Sequence, residues 1–270
     1  MFINNPLWSM AGVRFPDRVQ IMKQLTLGSW YSGGIDGIAY AAKQLGIETK
    51  YHIEVNTDLW KYLKEIYGND TIIHRHDTQC GKRNLPWTNI MGGGDPCQPS
   101  SNAGLGLGMS DDRYRWPQMF RGISEMRPDW VINENVVGTI SNMVLDKKIA
   151  DLESIGYTCQ AFNIPAVAVD AHHTRARIFL IAHANVQGRR ELLHTDFGAI
   201  FKESRQAITL GAQGNAFLQF RERYNEPAIF PFPYGIPDHV TRLGATGNAI
   251  VHQIPMIILT CIKWIEENYL

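Results

Sequence analysis

A chain of 270 residues, 44% of them hydrophobic and 19% charged, is long enough to bury a sizeable core as one large domain with a small appendage. Lysine plus arginine matches aspartate plus glutamate at 26 each, which excludes a protein-wide positive field, so any nucleic-acid surface has to be local. No apolar run approaches the roughly 20 residues of a membrane span, the start lacks the pattern of a signal peptide, and four cysteines without CxxC spacing speak against a disulfide framework or a zinc cluster. The expectation is a cytoplasmic protein without metal, acting as a monomer.

Residues 1–24 read as an N-terminal extension. Short apolar runs then alternate with helical stretches. Strands are predicted at 25–30 (LTLGSW), 49–55 (TKYHIEV), 70–76 (DTIIHRH), 88–93 (TNIMGG), 129–134 (DWVINE), 158–164 (TCQAFNI) and 177–184 (RIFLIAHA). Helices are predicted from Gly37 to Leu45, Asp58 to Ile66 and Met143 to Ile155. Strands alternating with helices imply an α/β sheet covered on both faces over 25–184. From 185 to 240 the pattern gives way to glycine, proline, arginine and aromatics, which reads as a small second region. The remainder, 241–270, contains an amphipathic helix over 248–269 despite Pro255, which should kink it or mark its first turns.

The first strand runs into "SWYSGGIDGIAYAAKQLG", a glycine-rich turn opening a helix, where backbone amides can approach a ligand. Glu54 ends the next strand, the place where a doubly wound sheet puts an acid for a ribose, and Asp77 sits similarly after the third strand. On these residues alone the turn and its acid are either a tight turn with a solvated strand end or the site of a nucleoside-bearing cofactor, a nicotinamide dinucleotide or S-adenosylmethionine.

"MGGGDPCQPSS" places Cys97 between Pro96 and a further proline, after three glycines. Such a segment makes a poor core strand and a good platform for an exposed, rigidly aimed thiolate. Downstream, Glu134 and Asn135 follow an apolar run, and a carboxyl at a buried strand end is placed to hold a proton for a ring nitrogen. Arg175 and Arg177, two apart at the start of a strand, share a face and can hold an exocyclic oxygen and a phosphate. The neighbouring His172 and His173, and the pair His74 and His76, offer no third ligand, and no metal is expected.

Together these segments resemble the C5-cytosine DNA methyltransferases, in their phage and bacterial form. The family's G-x-P-C-Q-x-x-S motif is matched by Gly94, Pro96, Cys97, Gln98 and Ser101 and continued as far as Asp112 and Arg113; its E-N-V motif by Glu134 to Val136; its Q-x-R-x-R motif by Arg175 and Arg177, with His173 in the glutamine position; and its G-N-x-[VI] motif by Gly247, Asn248 and Ile250. The cofactor turn departs from F-x-G-x-G-G: it reads Tyr31, Ser32, Gly33, Gly34, Ile35, Asp36, Gly37, with one residue inserted and Asp36 replacing a glycine. Val55 stands where the family often has tryptophan.

The resemblance implies a Rossmann-like, S-adenosylmethionine-dependent methyltransferase sheet with a small, irregular target-recognition region. It implies Cys97 as nucleophile with Glu134, Arg175 and Arg177 as its catalytic partners. Tyr31, Gly33, Glu54, Asp77, Pro96 and Asn248 would bind the cofactor. Gln98, Ser101, Arg113, Arg221 and Arg223 would meet double-stranded DNA. Two readings stay open beside it: a transfer-RNA cytosine methyltransferase of the same fold, and a silent DNA-binding homologue.

Overall fold

The computed structural model describes residues 24–96, 114–169, 171, 173–184 and 250–269. Its framework is a seven-stranded sheet of order β3-β2-β1-β4-β5-β7-β6, built from β1 (Thr26–Trp30), β2 (Glu48–Ile53), β3 (Ile73–His74), β4 (Ile90–Gly93), β5 (Trp130–Val136), β6 (Tyr157–Pro165) and β7 (Ala176–Ala184). β3 to β5 pair in parallel, whereas β7 runs antiparallel to both β5 and β6. Among the described residues six α-helices flank it: α1 (Gly37–Gln44), α2 (Trp60–Tyr67), α3 (Trp116–Met126), the single turn α4 (Gly138–Ser141), α5 (Val144–Ser154) and α6 (Gln253–Tyr269).

Strand alternation sends successive side chains into two separate cores. Ile90, Ile132, Phe179 and Ile181 face α1 and α6, where Ile38, Ala42, Ile257, Ile258 and Ile262 meet them. Their neighbours Met91, Val131, Leu180 and Ala182 face the other way, onto Trp116, Met119, Ile123 and Leu152. Burial on both faces explains why β5 and β7 read as nearly continuous apolar runs. Trp130 is buried and donates its indole N–H to Glu266 at 2.8 Å, so α6 is tied to the centre of the sheet by a satisfied polar contact as well as by packing.

The predicted strands and helices lie close to the observed ones, with two differences. The expected strand 70–76 shortens to Ile73–His74, because this edge segment pairs only with His52 and Ile53, and Ile72, Arg75 and His76 are exposed. Helix α3 went unpredicted, although Trp116, Met119, Ile123 and Met126 recur at helical spacing, Pro117 fills its first turn, and all four are buried. Pro255 lies in the first turn of α6, where its missing N–H costs nothing. The expected N-terminal extension, except for residue 24, and the expected recognition region 185–240 lie outside the described residues. Among the described residues no helix is long and apolar enough to cross a membrane, and no cluster of three metal-ligating side chains occurs.

Candidate active site

The sheet order reverses between β1 and β4, and a crevice opens outside the carboxyl ends of strands at such a switch point. Tyr31 and Gly33 leave β1 there, Glu54 leaves β2, and Gly94, Asp95 and Pro96 leave β4. Each oxygen of the Glu54 carboxylate is held by a backbone amide, Oε2 by Gly33 and Oε1 by Asn56, both at 2.7 Å. Burial nevertheless raises its pKa. A carboxylate so fixed can still accept from further donors, which suits a ribose diol. Tyr31 Oη lies 3.0 Å from Asp77 Oδ2 and equally from the Arg115 carbonyl oxygen, so its one proton chooses between two acceptors. Burial and the Asp77 carboxylate push the phenol pKa well up. Val55, 48% exposed, flanks this acidic corner with an apolar surface. Tyr31, Gly33, Glu54 and Asp77 therefore form one group, whose chemistry fits a nucleoside.

Asp36, the departure from the glycine-rich motif, adopts φ 55°, the left-handed region a glycine would favour. Its Oδ1 caps α1 by accepting the Ala39 amide at 2.9 Å, and its Oδ2 lies 2.8 Å from His52 Nδ1, both side chains being buried. Burial, the largest single influence, would raise the Asp36 pKa, but the hydrogen bond and charge of His52 together with hydrogen bonds from Ser29 and the Ala39 amide outweigh it, and the pKa is lowered. The carboxylate thus repays its strained backbone through two contacts. Asp36→Ala should lose the cap, keep the strain and leave the buried His52 Nδ1 with the Ser32 hydroxyl in place of a carboxylate, lowering stability by about 2–4 kcal/mol. A urea melt checks this, and an unchanged midpoint would contradict it. Next door, Gly37 lies against Ile250: a Cβ there would come within 2.5 Å of Ile250 Cγ1, so glycine is what lets α1 meet the segment entering α6.

On the far side of the crevice stands Glu134. In the antiparallel register Glu134 faces Phe179 and Val136 faces Arg177, which makes Glu134 and Arg177 diagonal neighbours on one face. Arg177 Nε lies 2.9 Å from Glu134 Oε1, with side-chain exposures of 15% and 13%. This is an ion-pair contact in which Oε1, buried, meets no well-aligned donor among the described residues. Burial pushes the Glu134 carboxyl up to about 7; Arg177 and Lys148 pull it down, and Asp95 adds to the rise. A carboxyl poised near neutrality suits proton exchange with a bound base. His173, Arg175 and Arg177 line one cleft with Phe179, Ile250 and Ile254. Arg175 sits just before β7, and its carbonyl oxygen accepts the Ala166 amide.

Gly94 approaches Glu134 closely enough to explain its identity. A Cβ at Gly94 would lie 2.8 Å from Glu134 Oε2, too near unless the carboxylate moves away from Arg177. Gly94→Ala should keep the fold yet slow turnover about 100-fold, the scale of a misplacement near 1 Å. Activity followed in a single turnover, together with a thermal melt, separates that outcome from simple unfolding, and full activity would contradict it.

Three of the four cysteines are described, and none is an apt nucleophile. Cys80 and Cys261 are buried and Cys159 is partly buried, and burial raises the thiols of Cys80 and Cys159 to about 11 and about 12. Cys97, Gln98, Ser101, Arg113, Arg221, Arg223 and Asn248 lie outside the described residues. Pro96 is placed at the mouth of the crevice, partly buried. Sequence reasoning missed His52, Asp95, Asn133 and Lys148, which form buried networks behind the crevice. Lys148 carried a signal: it interrupts the apolar stripe formed by Val144 and Leu152 at four-residue spacing.

Comparison with known proteins adds to this geometry. The chain is 34% identical over 96 residues to the type II methyltransferase M.AplI of Arthrospira platensis, covering 35% of this chain and 28% of that one. It is 25% identical over 202 residues to the orphan methyltransferase M.Rho11sI of Bacillus phage rho11s, covering 70% and 38%. The chain thus spans well under half the length of these relatives. A solved structure of a Spodoptera frugiperda DNMT2 mutant superposes with a TM-score of 0.48 at 20% identity, covering 61% of this chain and 51% of that one. The profile of the family described as C-5 cytosine-specific DNA methylase matches residues 32–212, well over half of the chain. This chain accordingly belongs to the C-5 cytosine-specific DNA methylase family.

Proposed function

We propose that this protein is a DNA (cytosine-5)-methyltransferase, acting as a monomer in the cytoplasm of a prokaryotic or phage-infected cell, with double-stranded DNA as substrate. S-adenosylmethionine dependence is general to the family. In this chain Tyr31, Gly33, Glu54, Asp77, Pro96 and Asn248 would hold that cofactor, which when bound supplies the methyl group taken up by C5. Residues 185–240 would choose the target sequence. The observation that carries the reading is the Glu134 carboxyl, poised near neutrality beside Arg177 and against Gly94, three residues before Cys97.

The chemistry follows from these residues. Cytosine C5 is a poor nucleophile until a group adds at C6. The Cys97 thiolate forms a bond to C6, and Glu134 holds the proton at N3 that absorbs the displaced charge. Once C5 carries the methyl group, loss of its proton and departure of the thiolate restore the aromatic ring and free Cys97. Arg177 would hold the cytosine O2, with Arg175 ordering the neighbouring backbone. C5 and C6 are stacked within a duplex, so the base must be flipped out at roughly a few kcal/mol. Gln98, Ser101 and Arg113 would meet the extruded nucleotide and its phosphates, and Arg221 and Arg223 the DNA backbone.

The test is methyl transfer from labelled S-adenosylmethionine to mixed-sequence duplex DNA and, separately, to transfer RNA, read by nucleoside mass spectrometry. The expected product is 5-methyldeoxycytidine in the duplex. Label confined to RNA would move the reading to a transfer-RNA methyltransferase, and silence on both to a binding protein.

A further inference from the structure

Behind the crevice lies a buried charge pair that this chemistry does not use. Lys148, on the inward face of α5, and Asp95, two residues before Cys97, form an ion pair with each side chain only 1% exposed. Lys148 Nζ also donates to Asn133 Oδ1 at 2.8 Å and stands 5.2 Å from the centre of the Trp116 ring. The Asn133 amide donates in turn to Asp95 Oδ1 at 2.8 Å, and Asn135 Nδ2 donates to the Asp95 carbonyl oxygen at 3.1 Å. Asn133 and Asn135 flank Glu134 on β5 and, by strand alternation, project from the opposite face. The network clamps the backbone leaving β4 to the end of β5.

A buried ion pair is poor evidence for stability, because a hydrophobic pair of similar volume commonly serves as well or better. What this pair supplies is position, with a pair of opposite charges, at one place: the end of β4 two residues before Cys97 in sequence, beside Glu134. We propose that Lys148 is a positioning residue of this site, fixing through Asp95 the end of β4 that leads, two residues on in sequence, to Cys97, with the opposite charges of the pair set together behind Glu134. This inference rests on the methyl-transfer reading for its kinetic consequence alone. The charges facing Glu134 are Arg177 from β7, Asp95 from the end of β4 and Lys148 from α5, with Arg175 and His173 in the adjoining cleft. Around the pair itself stand Tyr31 and Tyr114, both influenced by Asp95, and Asp151, which Trp116 and Lys147 engage.

The two members act on Glu134 with opposite sign: Lys148 favours its ionised form and Asp95 opposes it. Lys148→Met should therefore move the Glu134 titration to higher pH and Asp95→Asn to lower pH, and the double variant should return it towards the wild-type value. Carbon-13 NMR of carboxyl-labelled glutamate reads this without turnover, with Glu134→Gln identifying the resonance. In parallel, Lys148→Met should slow covalent capture on duplex DNA containing 5-fluorocytosine by about 10–100-fold, with S-adenosylmethionine affinity unchanged by calorimetry. The double variant should recover part of that rate. Single variants that leave the titration unmoved, or shift it in the same direction, would overturn the proposal. So would a Lys148→Met protein captured at the wild-type rate. A wild-type protein that is never captured contradicts the proposed function, and the Glu134 titration then decides the role of the pair by itself.

Discussion

Cys97→Ala is expected to leave the protein folded and able to bind S-adenosylmethionine while lowering methyl transfer at least about 10⁴-fold, the scale seen when a covalent nucleophile is removed. No other thiol can substitute. Cys80 and Cys261 are buried in the two cores, and burial raises the Cys80 and Cys159 thiols far above neutrality. Folding should be indifferent to the change, because the contacts that order the approach to residue 97 are made by Asp95 with Lys148, Asn133 and Asn135. Single-turnover transfer and a thermal melt measure both halves. Substantial transfer by the variant would refute covalent catalysis through this residue.

Glu134→Gln is the second large effect, an expected loss of about 10²–10⁴-fold in kcat/KM. Its pH dependence carries a definite sign. The Glu134 carboxyl titrates at about 7, so the proton-bearing form prevails below that value and is lost as pH rises through it. Wild-type kcat/KM should therefore decline on the alkaline side of about 7, and the glutamine variant should lack that limb. Stability follows the same linkage. A carboxyl whose pKa is raised on folding, from 4.5 to about 7, stabilises most below 4.5 and loses that contribution between 4.5 and 7. Wild-type stability should fall across that window relative to the variant, whose amide does not titrate. Parallel pH profiles for both proteins would contradict the assignment of Glu134 as the proton-holding group.

The strands and both faces of the sheet were legible because period-2 alternation survives wherever two cores must be filled, as in Ile90 and Met91 or Phe179 and Leu180. Glu134 and Arg177 were legible as residue types at strand ends, and their diagonal pairing follows from the antiparallel β5–β7 register, which no linear pattern displays. Helix α3 was missed although its buried residues recur at helical spacing, because it follows a glycine-dotted stretch after Cys97 that carries no periodic pattern to announce it. Asp36 looked like damage to a glycine motif. Its worth lies in His52, sixteen residues away on β2, and so in tertiary structure. Lys148 stands out within α5, but its partner Asp95 is 53 positions distant, and only the fold brings the two charges together.

The central claim is covalent attack by Cys97 on a flipped DNA cytosine, and the most direct measurement is denaturant-resistant capture on mixed-sequence duplex DNA carrying 5-fluorocytosine, with S-adenosylmethionine present. Fluorine cannot depart from C5 as a proton does, so the thiol adduct should persist after methyl transfer. Capture by the wild-type protein that disappears in Cys97→Ala is the predicted result. Capture that survives in Cys97→Ala, or wild-type protein that is never trapped on the duplex, would contradict the account.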